Sequence, residues 1–485
     1  MPIKNGKQYI ERIDRQNINL WYKGERVTGP LSKHPIFSGL IETQAKLYDM
    51  QCDDKYKDQM TYLSPDTGER VGLSYLPPSS LEDLQKRRKM IELWSREHHG
   101  FLGRSPDYMN TAMMSFYTAA HTLEEHNPAF AQNLRDYYAY CRDHDITLSH
   151  AFIQPPASKW SGQIDPFEDS IAAKVEEITE EGYIVSGAFM MATQGATCDE
   201  MIVFPTPSLT PDEEVNPYAF AFAVPNDLEG MTFICRESHA SESSYDHPLS
   251  SRFEEMDTLV IFDKVLVPHN RMFYYGDETM GFKLFQEGHF HTHIGHQIIS
   301  RYIAKTEFLL GLFEALADEQ NVGLESLSIA NVAKIMTMLE NFKALRLASE
   351  TSAELDEQGI LIPSSSPLLA ASIQFPPFYL EVINMLQLLG SSGIIMTPMN
   401  NDLSSELSPY VNQYLKGLTT EAKDRIAIFR LVWELTAGPF GGRQGQFERF
   451  FFGSAQTVHI RMYNSYDNHE DYRQLVQSFL AQQDT

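Results

Sequence analysis

The spacing of apolar residues changes twice along the chain. Up to about residue 145 it is helical: Ser79 and Glu82 fit a capping box opening a helix through Leu84, Met90, Ile91 and Trp94. A helical stretch follows at Ala112–Tyr117, and another runs from Asn127-Pro128 through Leu134 and Tyr137. Upstream, Gly24 to Pro30 predicts a hairpin or turn. From Ile146 the pattern switches to short β-type runs at Thr147–Ile153, Ala172–Ile178, Tyr183–Val185, Met201–Phe204, Tyr218–Val224, Met231–Ile234 and Leu259–Val267. Turn formers such as Glu180-Glu181-Gly182 and Pro225-Asn226-Asp227 separate them, which predicts an antiparallel β-barrel or sandwich. Past Met272 helical spacing returns at Gly295–Ala317, Leu324–Ser352, Pro367–Leu389 and Thr420–Thr436, the content of a four-helix bundle. The expected fold is α+β and multidomain: a mainly helical domain over 1–145, a β domain over 146–272, and a helical bundle with an oligomerisation tail over 273–485.

A length of 485 residues agrees with more than one core. The formal net charge of -26 argues against nucleic acid or an anionic membrane as the main partner, because both require a basic face. The N-terminus lacks a secretory pattern and no run of about eighteen apolar residues occurs, so a cytoplasmic location is expected. Cys52, Cys141, Cys198 and Cys235 are scattered, as reduced thiols would be.

Candidate chemistry centres on Gly103-Arg104-Ser105-Pro106-Asp107-Tyr108-Met109-Asn110. Ser105 suits a helix cap and Pro106 the first helical position, so Arg104 and Tyr108 can reach one small site. The same spacing also fits a plain capped helix with a surface arginine. Downstream stand Ser149-His150-Ala151, Met191-Ala192-Thr193, Gly441-Gly442-Arg443-Gln444 and Phe452-Gly453-Ser454. This ordered set, running from about Tyr9 to about Tyr472, resembles the oxygenase component of the 4-hydroxyphenylacetate 3-monooxygenase family. Those proteins are two-component flavin-dependent phenol hydroxylases with an acyl-CoA-dehydrogenase-like fold.

The resemblance implies a monooxygenase that takes FADH2 from a separate NAD(P)H-dependent flavin reductase and, with O2, hydroxylates a phenol ortho to its hydroxyl through a flavin C4a-hydroperoxide. It implies a homotetramer, a dimer of dimers. It places Arg104, Tyr108 and His150 around the phenol hydroxyl and the flavin oxygen adduct. It gives the flavin to His150, to Pro156, Ala157, Ser158 and Lys159, and to Thr193, whose hydroxyl is offered to a ring nitrogen. Gly453, Ser454, Ala455 and Gln456 match a further flavin segment, although many relatives carry Gly-Asp-Pro where this chain has Gly453-Ser454-Ala455. The loop holding the substrate carboxylate matches Thr206 and Pro207, where relatives often have Ser-Thr, and proline removes an amide donor.

The residue types suit that chemistry. A phenol of pKa about 10 is protonated at neutral pH, yet the phenolate is the better carbon nucleophile, so a fixed cation at its oxygen is useful. Arg104 supplies one, while His150 can accept or relay the proton and Tyr108 can donate a hydrogen bond. No GxGxxG after a strand, GxxxxGK[ST] or GxSxG occurs, so the chain offers no nicotinamide fingerprint of its own. Gly441 to Gln444 is a further candidate for FAD binding or subunit contact. A second reading keeps the fold and makes the protein an acyl-CoA dehydrogenase-like or 4-hydroxybutyryl-CoA dehydratase-like flavoenzyme acting on a thioester. His289, His291, His293 and His296 raise the question of a metal, but no Cys follows Cys235 to complete an iron–sulfur ligand set, and no metal is expected. The tail from Asp467 carries apolar Leu475, Val476, Phe479 and Leu480, suited to burial against another subunit.

Overall fold

The computed structural model describes residues 2–155, 171–204, 215–466 and 468–481. Helices Leu81–Glu97, Pro106–Thr118 and Pro128–His144 occupy the expected N-terminal stretches. The N-cap sits one residue later than the sequence suggests. Ser80 is the N-cap, accepting from the Asp83 amide, while Ser79 donates to the Asp83 carboxylate. Ser105 precedes Pro106 as expected, but its hydroxyl donates to Asp107 (2.5 Å) instead of accepting a helix amide. That buried carboxylate also accepts from Gln297 and is the stronger acceptor.

Every expected β run among the described residues forms a strand, and Met272–Gly276 adds one more. They do not build a closed antiparallel barrel. A six-stranded sheet has the order Glu25–Arg26, Leu20–Tyr22, Met231–Cys235, Asp257–Pro268, Gly182–Thr193, Lys174–Ile178. A four-stranded sheet has the order Met272–Gly276, Asn216–Pro225, Glu200–Val203, Leu148–Ala151. Each contains one parallel pair: Leu20–Tyr22 with Met231–Cys235, and Leu148–Ala151 with Glu200–Val203. The first arises because the expected N-terminal hairpin, turning at Lys23 and Gly24 with positive φ, adds itself to the middle sheet. The edges of the smaller sheet meet helices Pro106–Thr118 and Pro128–His144 instead of each other, so it stays open.

Helices Phe290–Glu319, Ser326–Thr351, Ser365–Gly390 and Ala422–Thr436 pack on one another in the C-terminal region. Phe290–Glu319 also touches Leu81–Glu97 and Pro106–Thr118, so it binds the C-terminal region to the N-terminal layer. Its face carries charge as well as apolar residues: Arg301 and Lys305 are fully buried and paired with Glu448 of helix Pro439–Phe450. Such a group is tolerated inside only because each charge has partners. This pairing helps to set helix Pro439–Phe450 against helix Phe290–Glu319.

Candidate active site

Arg104 lies in the turn before helix Pro106–Thr118, and His150 lies in strand Leu148–Ala151 on which that helix rests. Both side chains face a cavity of about 330 Å³ whose other walls include Phe152, Ile153, Met191, Thr193, Asp257, Arg443, Phe447 and Phe451. Its surface is mostly apolar, much of it phenylalanine, with a few converging polar groups, as small-molecule sites usually are. Gly103 is required by close approach: a Cβ there would lie 2.0 Å from the Phe447 ring.

Arg104 Nη2 stands 3.4 Å from His150 Nε2, and its guanidinium rests 4.5 Å from the Tyr108 ring centroid and 4.6 Å from that of Phe451. A guanidinium only donates, so His150 Nε2 accepts and the ring proton sits on Nδ1. Among the described residues His150 Nδ1 and Arg104 Nε are both buried without a partner, which leaves two polar atoms for a ligand. The His150 ring is stacked with Phe152 (5.1 Å, 3°) and Phe204 (5.7 Å, 11°), forming a flat aromatic wall. Tyr108 supports Arg104 from beneath and does not line the cavity.

Burial first, and then the charge of Arg104, hold the His150 pKa well below 6.5, so the imidazole is neutral at neutral pH. The unfolded chain takes up this proton below about 6.5, whereas the folded chain refuses it. The associated stability is therefore complete above that pH and declines as pH falls below it. His150→Gln should flatten this part of the stability–pH curve. In the wild type, histidine NMR should show no His150 titration between about pH 6 and 8, and an inflection there would contradict the neutral assignment.

Opposite Arg104, Arg443 makes a two-nitrogen contact with Asp257 (2.9 and 3.2 Å) and reaches Glu255 at 3.2 Å. Burial disfavours the Asp257 carboxylate, but Arg443 and Arg236 outweigh it and hold its pKa far below the usual range. An ionised Asp257 only accepts, so the Thr193 hydroxyl 2.7 Å away gives its proton to Asp257. In this geometry the Thr193 hydroxyl thus turns its lone pairs to the cavity.

The other sequence candidates fall in different places. Pro156, Ala157, Ser158, Lys159, Thr206 and Pro207 lie outside the described residues. Gly453, Ser454, Ala455 and Gln456 open helix Ala455–Asn464 and contribute nothing to the walls of this cavity, although Phe451 just before them does. Arg443, from the Gly441 to Gln444 candidate, joins the site. The four histidines occupy the start of helix Phe290–Glu319: His289 has positive φ, His291 meets Phe285 and Phe452, and His296 meets Glu350 at 2.9 Å. Among the described residues no three His, Cys, Asp or Glu side chains are grouped to hold a metal. Sequence reasoning passed over Glu255, Asp257 and the phenylalanines at 447 and 451. The acidic run Glu254-Glu255-Met256-Asp257 was the available signal, as counter-charge for Arg236 and Arg443.

Residues 5–274 match the family 4-hydroxyphenylacetate 3-hydroxylase N terminal, and residues 282–481 match 4-hydroxyphenylacetate 3-hydroxylase C terminal. The chain belongs to the 4-hydroxyphenylacetate 3-hydroxylase family. It is 40% identical over 481 residues to a probable 4-hydroxyphenylacetate 3-monooxygenase of Bacillus subtilis (strain 168), covering 99% of each protein. A solved relative, the oxygenase component of 4-hydroxyphenylacetate 3-monooxygenase complexed with FAD and 4-hydroxyphenylacetate, superposes with a TM-score of 0.92 at 37% identity over 99% of both chains. A likeness of fold alone extends to butyryl-CoA dehydrogenase of Megasphaera elsdenii, with a TM-score of 0.50, 12% identity, and coverage of 95% of this chain and 97% of that one.

Proposed function

We propose that this protein is the oxygenase component of a two-component monooxygenase, hydroxylating 4-hydroxyphenylacetate or a similar phenol ortho to its hydroxyl with FADH2 and O2. The observation that carries the reading is the juxtaposition of Arg104 and neutral His150 on one aromatic-walled cavity. It is supported by full-length similarity to a relative solved with FAD and 4-hydroxyphenylacetate. The FADH2 would come from a separate NAD(P)H-dependent reductase, since the relatives are named as one component of a system. The domain layout we infer is that of acyl-CoA dehydrogenases: helical domain, β domain and four-helix bundle, divided near residues 145 and 272.

The cavity fits a flat, heteroatom-rich ring. It has parallel aromatic faces, two buried polar atoms without partners among the described residues and the lone pairs of Thr193. His150 and Thr193 would hold the isoalloxazine, joined by Pro156 to Lys159. When bound, reduced FAD with O2 supplies the electrophilic oxygen. Arg104 directs its charge to the phenol oxygen and favours phenolate, in surroundings where burial strengthens such an interaction. His150 Nδ1–H, unpartnered among the described residues, would donate a hydrogen bond to the phenol oxygen, and Tyr108 keeps the Arg104 guanidinium in place. The Thr206-Pro207 loop would complete the substrate site.

A thioester-oxidising reading needs a carboxylate base at this site. Asp257 is held ionised by two arginines and is a poor base, so the cavity favours the hydroxylase. The test is to mix purified protein with chemically reduced FAD, O2 and a panel of simple phenols. A catechol product supports the proposal, whereas hydrogen peroxide alone from every phenol removes it.

We also infer a cytoplasmic homotetramer. Among the described residues no helix is long and apolar enough to cross a membrane. Helix His469–Ala481 leaves Leu475, Val476, Phe479 and Leu480 largely exposed, which suits burial in an assembly. Light scattering at micromolar concentration should give four times the chain mass, and a monomer would refute it.

A further inference from the structure

Glu255 is fully buried and touches no part of the cavity surface, yet its carboxylate gathers four donors from three regions of the chain. One oxygen accepts from the Arg104 amide (2.7 Å) and from Gln194 Nε2 (2.9 Å). The other accepts from the Gly103 amide (3.0 Å) and from Arg443 Nη1 (3.2 Å). Two of these pin the backbone of the turn that carries Arg104, and Gln194 Nε2 adds a bond to the Arg104 carbonyl at 3.3 Å. With its backbone held and its guanidinium resting against Tyr108 and Phe451, Arg104 turns Nη2 towards His150 Nε2 and Nη1 towards the Gly103 carbonyl, each at 3.4 Å.

Resting on the proposed hydroxylase reading, we propose that Glu255 is a positioning residue: it aims Arg104 at the phenol oxygen, and so sets how much of the oxygen chemistry ends in catechol. An ionised carboxylate is the group that fits here, because all four partners donate and it presents only acceptors. In Glu255→Gln one terminus becomes an NH2 facing two donors, so the turn must shift. A shift of about 1 Å in a group that positions substrate costs about ten- to hundredfold in the reaction it serves.

The experiment compares wild type, Glu255→Gln, Glu255→Asp and Gln194→Asn, the last at a residue with φ of 59°, which asparagine tolerates. Four quantities are read: the catechol-to-peroxide ratio, kcat and KM for 4-hydroxyphenylacetate, the anaerobic dissociation constant for reduced FAD, and the melting temperature. In Glu255→Gln the ratio and kcat should fall at least about tenfold while reduced-FAD affinity changes less than about threefold. Glu255→Asp, which keeps the charge, should recover part of the ratio, and Gln194→Asn should lower it to a smaller extent. Should Glu255→Gln fail to fold, the other two variants decide. The inference is overturned if the folded variants keep the wild-type ratio and lose only melting temperature. Absence of catechol from the wild type would instead overturn the hydroxylase reading on which it rests.

Discussion

Arg104→Ala is expected to leave a folded protein that consumes oxygen but makes about ten- to hundredfold less catechol per turnover, the difference appearing as hydrogen peroxide. The side chain is buried, meets His150 at 3.4 Å and has no salt-bridge partner among the described residues, so no such pair holds its charge for the fold. A charge-assisted hydrogen bond to a phenol oxygen in a water-poor site is worth roughly 1.5 to 3 kcal/mol, which gives the stated range of rates. Reduced flavin still reacts with oxygen without that bond, so peroxide continues to form. The measurement is the ratio of catechol to peroxide by chromatography and peroxide assay. A ratio equal to wild type in a normally folded variant would remove Arg104 from the chemistry.

Glu448→Ala should produce the largest loss of stability, about 3 to 5 kcal/mol, because it strands Arg301 and Lys305 inside the protein. Arg301 contacts Glu448 through two nitrogens at 2.7 and 2.9 Å and Lys305 does so at 2.5 Å, all three side chains being at most 1% exposed. Burial already pulls Lys305 down to about 8 despite its partner, so in the variant it should lose its proton near neutral pH and bring the cost towards the lower limit. Burial opposes the Glu448 charge too, but Arg301 and Lys305 prevail and hold its pKa at about 2. For a carboxyl lowered on folding, the stabilisation is complete above the unfolded value and is lost as pH falls towards the folded one. The wild type should thus lose this contribution between about pH 4.5 and 2. Denaturant midpoints should show the difference, with the exposed Lys343–Glu340 pair as a control whose removal costs under about 1 kcal/mol. Equal midpoints for the two variants would contradict the account. The effect should reach the active site as well, since Arg301 packs at about 5 Å from Phe447 and Phe451.

Much of the architecture could be read from the spacing of apolar residues. The four long C-terminal helices begin and end within a few positions of their periodic stretches, because a helix of more than ten residues repeats its signal several times. Strand pairing was not readable: nothing local in Leu20–Tyr22 announces that it will lie parallel to Met231–Cys235, more than two hundred residues away. Closure of a sheet is likewise decided by what covers its edges. Within the site, Arg104 and His150 were found through motif order, and Arg443 through its glycine neighbours. Glu255 and Asp257 were hidden because an acidic residue beside a strand reads as solvated surface until the arginines facing it are known. Thr193 shows the same limit, since the direction of a hydroxyl is set by a neighbour distant in sequence, here Asp257.

The central claim is that this cavity transfers one oxygen atom from O2 to the ring carbon next to a phenol hydroxyl. The direct measurement is a single turnover of purified protein with reduced FAD and 4-hydroxyphenylacetate under oxygen-18 gas, followed by mass spectrometry of the product. The account predicts a catechol carrying one labelled oxygen. Unlabelled catechol, or unchanged phenol with all the oxygen recovered as peroxide, would contradict it.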